Sequence, residues 1–250
     1  MTAPLPSPRS RSSSTTSSTA PLPSFEEYVP PRPAITGGQQ NLSVKVEGLG
    51  KDVQLVVDAA HGCGGVTWPA GEVMSRYLVY RHSLEPDRLK EKKILELGSG
   101  TGLVGLVTAM LEPSSEIWIT DQAPLLELME TNTRLNLGED HDSVHVTEFN
   151  WGESVSSDIP IEDIEVVLAA DCVYFEPAFP LLVQTLCDVA PLGKTIEILF
   201  SYNKRRKADK KFFAMLKKHF TNAFVEDDKP GERERYGRQG VSLMRLTRKK

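Results

Sequence analysis

The sequence predicts an α/β fold: a mainly parallel, Rossmann-like sheet with helices on both faces, preceded by a small N-terminal β-hairpin. Three observations predict it. From residue 94 onward, apolar runs of strand length alternate with stretches of helical periodicity. The first of these runs breaks directly into a glycine-rich loop that opens a helix. The second ends on an acid, placed where a nucleotide-like ligand would meet the carboxyl ends of the strands.

Each element has its own signal. Residues 1–35 are mostly Ser, Thr, Pro and Ala, with no acid before Glu26, so they bury too little apolar surface to offset ordering entropy and read as a disordered tail. Arg9 and Arg11 among the serines suggest an organelle transit peptide. Pro4, Pro6, Pro8, Pro21 and Pro23 oppose the amphipathic helix that such a peptide needs. The folded domain is expected over residues 36–250, with a hairpin and helix over 36–80 and the main core over 94–250. Residues 43–46 and 54–58 alternate apolar and polar around Gly48-Leu49-Gly50, which predicts the hairpin. Val73, Tyr77 and Leu78 share one face of a helix entered at Trp68-Pro69. Strands follow at 94–97, 117–120, 144–149, 165–170 and 195–201, and helices at 102–111, 124–137, 178–190 and 208–219. Residues 222–226 and 241–247 read as two last strands joined by a loop containing Pro230 and Gly231.

Composition narrows the class. At 250 residues and 40% hydrophobic content the chain can bury a full core. It has no apolar stretch near 18 residues, so no membrane span is expected. Cys63, Cys172 and Cys187 are scattered, with neither metal-ligand spacing nor a disulfide framework, which fits a reducing, cytoplasmic compartment. The net charge of −5 is unevenly spread: residues 201–250 hold 16 Lys and Arg against 6 Asp and Glu. The densest block is Lys204-Arg205-Arg206-Lys207 followed by Lys210-Lys211. A nucleic-acid footprint is the minority reading of that block. A solvated helix face is commoner, because Phe212, Phe213 and Phe220 sit at helical core spacing, and an acidic protein partner is at least as plausible.

The chemistry is concentrated in Ile94-Leu95-Glu96-Leu97-Gly98-Ser99-Gly100-Thr101-Gly102. Glycines let the backbone turn tightly and approach a ligand, and the helix start offers unpaired N–H groups. The spacing is G-x-G-x-G, with Leu103 where a pyrophosphate binder would need its third glycine. A plain turn is the competing reading. Asp121 lies 19 residues after Gly102, the distance at which an acid meets ribose hydroxyls, although the same Asp could cap the helix near Pro124. Together the loop and the acid point to an adenosine cofactor. Trp68, after the flexible Gly64-Gly65 loop, reads either as a packing staple or as part of a lid. Trp151, after the third strand of the series, reads as a core residue or as a stacking surface for adenine. Asp171, at the end of the fourth, could cap the helix near Pro180 or orient an incoming amine. No Asp/Asn-Pro-Pro-Tyr sequence is present; Cys172 and Val173 stand where the prolines would be.

The E-x-G-x-G-x-G loop resembles the first motif of class I S-adenosylmethionine-dependent methyltransferases. The loop, Asp121, Asn150-Trp151, the Asp171-x-x-Tyr174 element and Val66-Thr67-Trp68-Pro69-Ala70 occur in the order seen in methyltransferase-like family 21, the seven-strand protein-lysine methyltransferases. The resemblance covers residues 35–250. It looks closest to fungal members that methylate translation elongation factor 1-alpha, judged by Gly37-Gly38 and the run Ala169-Ala170-Asp171-Cys172-Val173-Tyr174-Phe175-Glu176-Pro177. The resemblance implies a seven-stranded methyltransferase sheet with S-adenosylmethionine as cofactor and no metal. It places Trp68, Glu96, Gly98, Ser99, Gly100, Asp121, Trp151 and Ala170 around the cofactor, and Asp171 and Tyr174 as catalytic residues facing the methyl and the target lysine. It also implies a protein substrate for a monomeric enzyme. The competing classes are a methyltransferase acting on another protein or a small amine, and a non-catalytic scaffold that binds the cofactor. An NAD-dependent oxidoreductase is disfavoured by the glycine spacing and by the lack of a Tyr-x-x-x-Lys or His hydride partner.

Overall fold

The computed structural model describes residues 38–62 and 64–250; the tail over 1–35, Gly37 and Cys63 lie outside the described residues. The elements run β1 (Gln40–Val44), β2 (Val53–Val57), α1 (Pro69–Leu84), β3 (Lys93–Leu97), α2 (Leu103–Leu111), β4 (Glu116–Asp121) and α3 (Leu126–Leu137). They continue with β5 (Val144–Glu148), β6 (Val166–Ala170), α4 (Phe179–Val189), β7 (Glu197–Asn203), α5 (Asp209–Leu216), β8 (Phe220–Phe224), α6 (Glu232–Arg238) and β9 (Val241–Arg248). Seven strands form one sheet in the order β5-β4-β3-β6-β7-β9-β8, parallel from β3 to β7, with β9 antiparallel between β7 and β8. The chain moves outward from β3 to β5 and then returns to β6 beside β3. The carboxyl ends of β3 and β6 therefore flank the crevice where such sheets bind ligands.

Side-chain alternation along β3 explains the two layers. Leu95 and Leu97 face a core completed by Phe179, Leu186 and Phe212 from α4 and α5. Ile94 faces the other core, with Met74 and Tyr77 of α1 and Val104 of α2. A central strand buried on both faces must be apolar almost throughout, and after the half-buried Lys93 at its start, Ile-Leu-Glu-Leu meets that demand except at Glu96.

The hairpin β1–β2 stands outside the main sheet and is docked by α3. Val56 donates its N–H to Asn132 Oδ1 (2.6 Å), and Asn132 Nδ2 donates back to Val56 O (3.1 Å). One turn later Asn136 repeats the exchange with Gln54, at 2.9 and 2.6 Å. The match is geometric: four residues of helix rise about 6 Å, and two residues of strand rise about 6.6 Å. Asn132 Nδ2 also donates to Thr101 O (2.9 Å), so the same side chain ties hairpin to glycine loop.

Several expected boundaries move. The hairpin strands are Gln40–Val44 and Val53–Val57 rather than 43–46 and 54–58. The third helix begins at Leu126, because Ala123–Leu125, with Pro124, forms a separate 3-10 turn. The helix expected over 208–219 ends at Leu216, and Phe220 opens β8 instead of belonging to the helical face. The connection expected as a plain loop around Pro230 and Gly231 contains α6. There Glu232 pairs with Arg235 at 3.0 Å, and Tyr236, 2% exposed, anchors the helix in the core. At the end of the sheet remote from the crevice, Tyr77 donates to Asp227 (2.9 Å) and Arg245 pairs with both Asp227 (2.8 Å) and Glu197 (3.1 Å). This network pins α1, whose first turn follows Trp68.

Candidate active site

Three glycines in alternation, Gly98, Gly100 and Gly102, take positive φ values of 63°, 59° and 81° after β3. At two of them the space is also closed. A Cβ on Gly98 would lie 2.8 Å from the Trp151 ring and 3.2 Å from Cys172 Sγ. A Cβ on Gly100 would lie 2.8 Å from the carbonyl oxygen of Gly64. The segment before Trp68 thus rests directly on the loop, which gives the lid reading of Gly64-Gly65 a physical contact.

Asp121 ends β4 beside this loop. Its Oδ2 accepts the Gly100 N–H and its Oδ1 the Gln122 N–H, both at 2.8 Å. Burial pushes the carboxyl up to about 6, against the opposing effect of those two N–H donors. The helix-cap reading of Asp121 fails, because Gln122 caps the following turn and makes no side-chain bond. The charged group on the loop is a carboxylate. It suits hydroxyl donors and a cationic centre, so these residues fit an adenosyl sulfonium.

Glu96 and Ser99 turn away from the crevice. Glu96 is 2% exposed, and its Oε2 accepts the Gly105 N–H at 2.9 Å, satisfying an otherwise unpaired donor in the first turn of α2. Burial pushes it up to about 8, so the carboxyl is largely protonated at pH 7. Ser99 Oγ accepts the Thr120 N–H at 2.9 Å. Both side chains hold the loop in place from beneath. Cys172 does the same from the other side: its Sγ donates to Leu97 O at 3.2 Å, and burial pushes the thiol well up. Trp151 is half-buried, with its ring edge against Gly98, and Ala170 ends β6.

The β6 side of the crevice is organised by an ion pair. Asp171 follows β6 with φ of 63°, unusual for a residue with a side chain, and its side chain is only 4% exposed. Its Oδ1 accepts from Arg205 Nη1 (2.7 Å) and from the Asn203 N–H (3.3 Å), while its Oδ2 accepts from Arg205 Nη2. The same guanidinium lies 4.7 Å above the centre of the Trp68 ring. Asp171 does not cap the helix near Pro180, where Ala178 is the cap residue and makes no side-chain bond. Tyr174 is half-buried three residues on, and Lys211 of α5 pairs with Glu176 just beyond it. One member of the basic block, Arg205, is therefore drawn onto Asp171, while Lys211 pairs with Glu176 at the surface.

Residues 49–219 match the model of the family described as lysine methyltransferase. The chain belongs to that family. It is 37% identical over 244 residues to the protein-lysine N-methyltransferase EFM6 of Saccharomyces cerevisiae, covering 90% of this chain and 97% of the yeast protein. It is 35% identical over 168 residues to the protein N-lysine methyltransferase METTL21A of Danio rerio, covering 67% and 73%. The fold likeness extends further. SMU.776, a methyltransferase solved with S-adenosylhomocysteine, superposes with a TM-score of 0.51 at 10% identity, over 82% of this chain and 55% of that one. The chain is thus a protein-lysine N-methyltransferase dependent on S-adenosylmethionine. No helix among the described residues of the methyltransferase is long and apolar enough to cross a membrane.

Two contributors were not anticipated from sequence: Asn132, behind the glycine loop, and Arg205, on Asp171. Two asparagines four apart inside a helix, where Asn is a poor former, were the available signal for the first. Nothing local signalled the second, because its partner lies 34 residues away.

Proposed function

We propose that this methyltransferase acts in the cytoplasm, as a monomer, on a lysine of translation elongation factor 1-alpha. The observation that carries the reading is similarity to the yeast protein-lysine enzyme across nearly the whole of both chains. The run Ala169-Ala170-Asp171-Cys172-Val173-Tyr174-Phe175-Glu176-Pro177, which resembles fungal members acting on that factor, points the same way.

In this reading Asp121 would hold the ribose hydroxyls, the backbone at Gly98 and Gly100 would lie against the amino-acid part, and Trp151 and Trp68 would wall the pocket, with Ala170 at its floor. The bound cofactor supplies a methyl group activated by a sulfonium. The chain's own task is then to align a lysine amine with that methyl and to exclude water, which accounts for much of the acceleration in such displacements. The amine must arrive neutral. A bare carboxylate beside it would favour the ammonium, whereas Asp171 neutralised by Arg205 favours it far less. Asp171 thus orients the amine together with Tyr174 while its charge is held by Arg205, and the proton leaves to water. The test is incubation of the enzyme and labelled S-adenosylmethionine with a lysate from cells lacking it, followed by mass spectrometry of the labelled band. A methylated lysine peptide of elongation factor 1-alpha is expected. Label on another protein overturns the substrate, and cofactor binding without any label overturns turnover itself.

A further inference from the structure

Between the end of β7 and α5 lies a cleft of about 290 Å³, lined by both elements and by the segment that joins them. Its wall is aromatic: the rings of Tyr202 and Phe213 meet at 4.7 Å between centroids. Its rim is cationic, formed by Lys204, Arg206, Lys210 and Lys217, all exposed. None of these four forms an ion pair among the described residues, in contrast to Arg205 and Lys211. The division is set by the connection between β7 and α5. Asn203 and Arg205 reach Asp171, while Lys204 and Arg206 turn to the cleft. Asp209 fixes this arrangement by accepting the N–H groups of Arg205 (3.0 Å) and Arg206 (3.1 Å) through one oxygen, and its other oxygen is buried without a partner.

We infer that this cleft docks an acidic segment of the protein substrate, with one aromatic or bulky aliphatic side chain seated on Tyr202 and Phe213 and flanking carboxylates on the four cations. The inference rests on the acceptor being a protein, not on which protein it is. Charge complementarity supplies the attraction, and adjacency supplies the purpose, since Arg205, the partner of Asp171, stands in the chain between the cleft residues Lys204 and Arg206. The alternative of nucleic acid is disfavoured by dimensions and by field. A strand-binding surface tracks a backbone over several nucleotides. This cleft is at the small end of ligand pockets, typically about 300–1,000 Å³, and the chain as a whole carries −5.

The experiment uses the full chain and a fluorescein-labelled peptide of Glu-Asp-Phe-Glu-Asp sequence, read by anisotropy at low salt. Binding is expected. It should weaken roughly tenfold or more for Lys204→Glu/Arg206→Glu/Lys210→Glu, about threefold or more for a peptide with Ala in place of Phe, and steeply with added salt. Thermal unfolding and S-adenosylmethionine affinity of the triple variant should match wild type, which separates docking from folding. In methylation assays with a protein substrate, the triple variant should raise KM while a short lysine peptide is methylated as before. Equal binding of the peptide to wild type and variant overturns the inference. So does a single-stranded RNA of equal charge that binds more tightly than the peptide. A substrate other than elongation factor 1-alpha leaves these expectations standing, so the two readings fail separately.

Discussion

On the β3–β4 side of the crevice the loop is held by main chain, neutral amides and buried carboxyls: Asn132 on Thr101, Asp121 on Gly100, Glu96 on Gly105. On the β6–α5 side the corresponding work is done by an ion pair between distant side chains, Arg205 on Asp171. In the proposed reading the difference matches what each side would meet. A cofactor of fixed shape is served by a rigid backbone cradle whose donors are already placed. A lysine amine presented by a folded partner must be neutral to react, and it would meet a carboxylate whose charge Arg205 already pairs.

The largest break of this comparison is Asn132→Leu. It leaves Val56 N–H, Val56 O and Thr101 O without this partner in a buried site, and the stability loss should be about 4 kcal/mol by denaturant unfolding. Arg205→Met comes next. It strands the buried Asp171 carboxylate, at a cost of about 3 kcal/mol in the same assay, reduced from the fully buried case because the guanidinium is partly exposed. Asp171→Ala should cost less stability than Arg205→Met, since the released guanidinium can reach water, yet it should lower methyl transfer far more than cofactor affinity. An Asp171→Ala enzyme with wild-type turnover would reduce that residue to a structural role.

Asp121→Ala sharpens the cofactor side. Loss of a charge-assisted acceptor should weaken S-adenosylmethionine binding by about 2 kcal/mol in calorimetry, and unchanged affinity would remove Asp121 from the cofactor site. The smallest effect concerns pH. Glu96 keeps its proton in the fold up to about 8 but releases it near 4.5 when unfolded, so between those values the native state binds more protons and stability falls as pH rises. Glu96→Gln cannot titrate and retains an acceptor for Gly105. Between pH 6 and 8 the variant should gain about 1 to 2 kcal/mol relative to wild type. Parallel stability curves would show that Glu96 is ionised in the fold.

The same contrast decides what could be read without coordinates. The 94–102 run and Asp121 are short-range signals, a strand, a turn and a strand end, whose residue types are dictated by local backbone geometry. The glycine cradle and the parallel sheet were legible for that reason. The direction in which a side chain points was not. Glu96 belongs to the motif by sequence but to the first turn of α2 by hydrogen bonding, and Ser99 turns to β4. Arg205 was visible only as one charge in a basic block. That its neighbours Lys204 and Arg206 line the cleft instead depends on a connection pinned by Asp209. α6 was missed because Glu-Arg-Glu-Arg-Tyr-Gly-Arg lacks an apolar stripe, and Tyr236 alone supplies its anchor.

The amide exchange between α3 and β2 also bears on the open edges of the hairpin. A two-stranded hairpin detached from its main sheet presents open strand edges, and such edges recruit further strands. Asn132 and Asn136 occupy the outward N–H and C=O groups of Val56 and Gln54, the groups an added strand would use. The edge that remains belongs to β1, a five-residue strand carrying Gln40, Asn41 and Ser43, too short and too polar to template a neighbour well. A helix thus takes the place of the third strand that this hairpin lacks, closing a sheet that never formed.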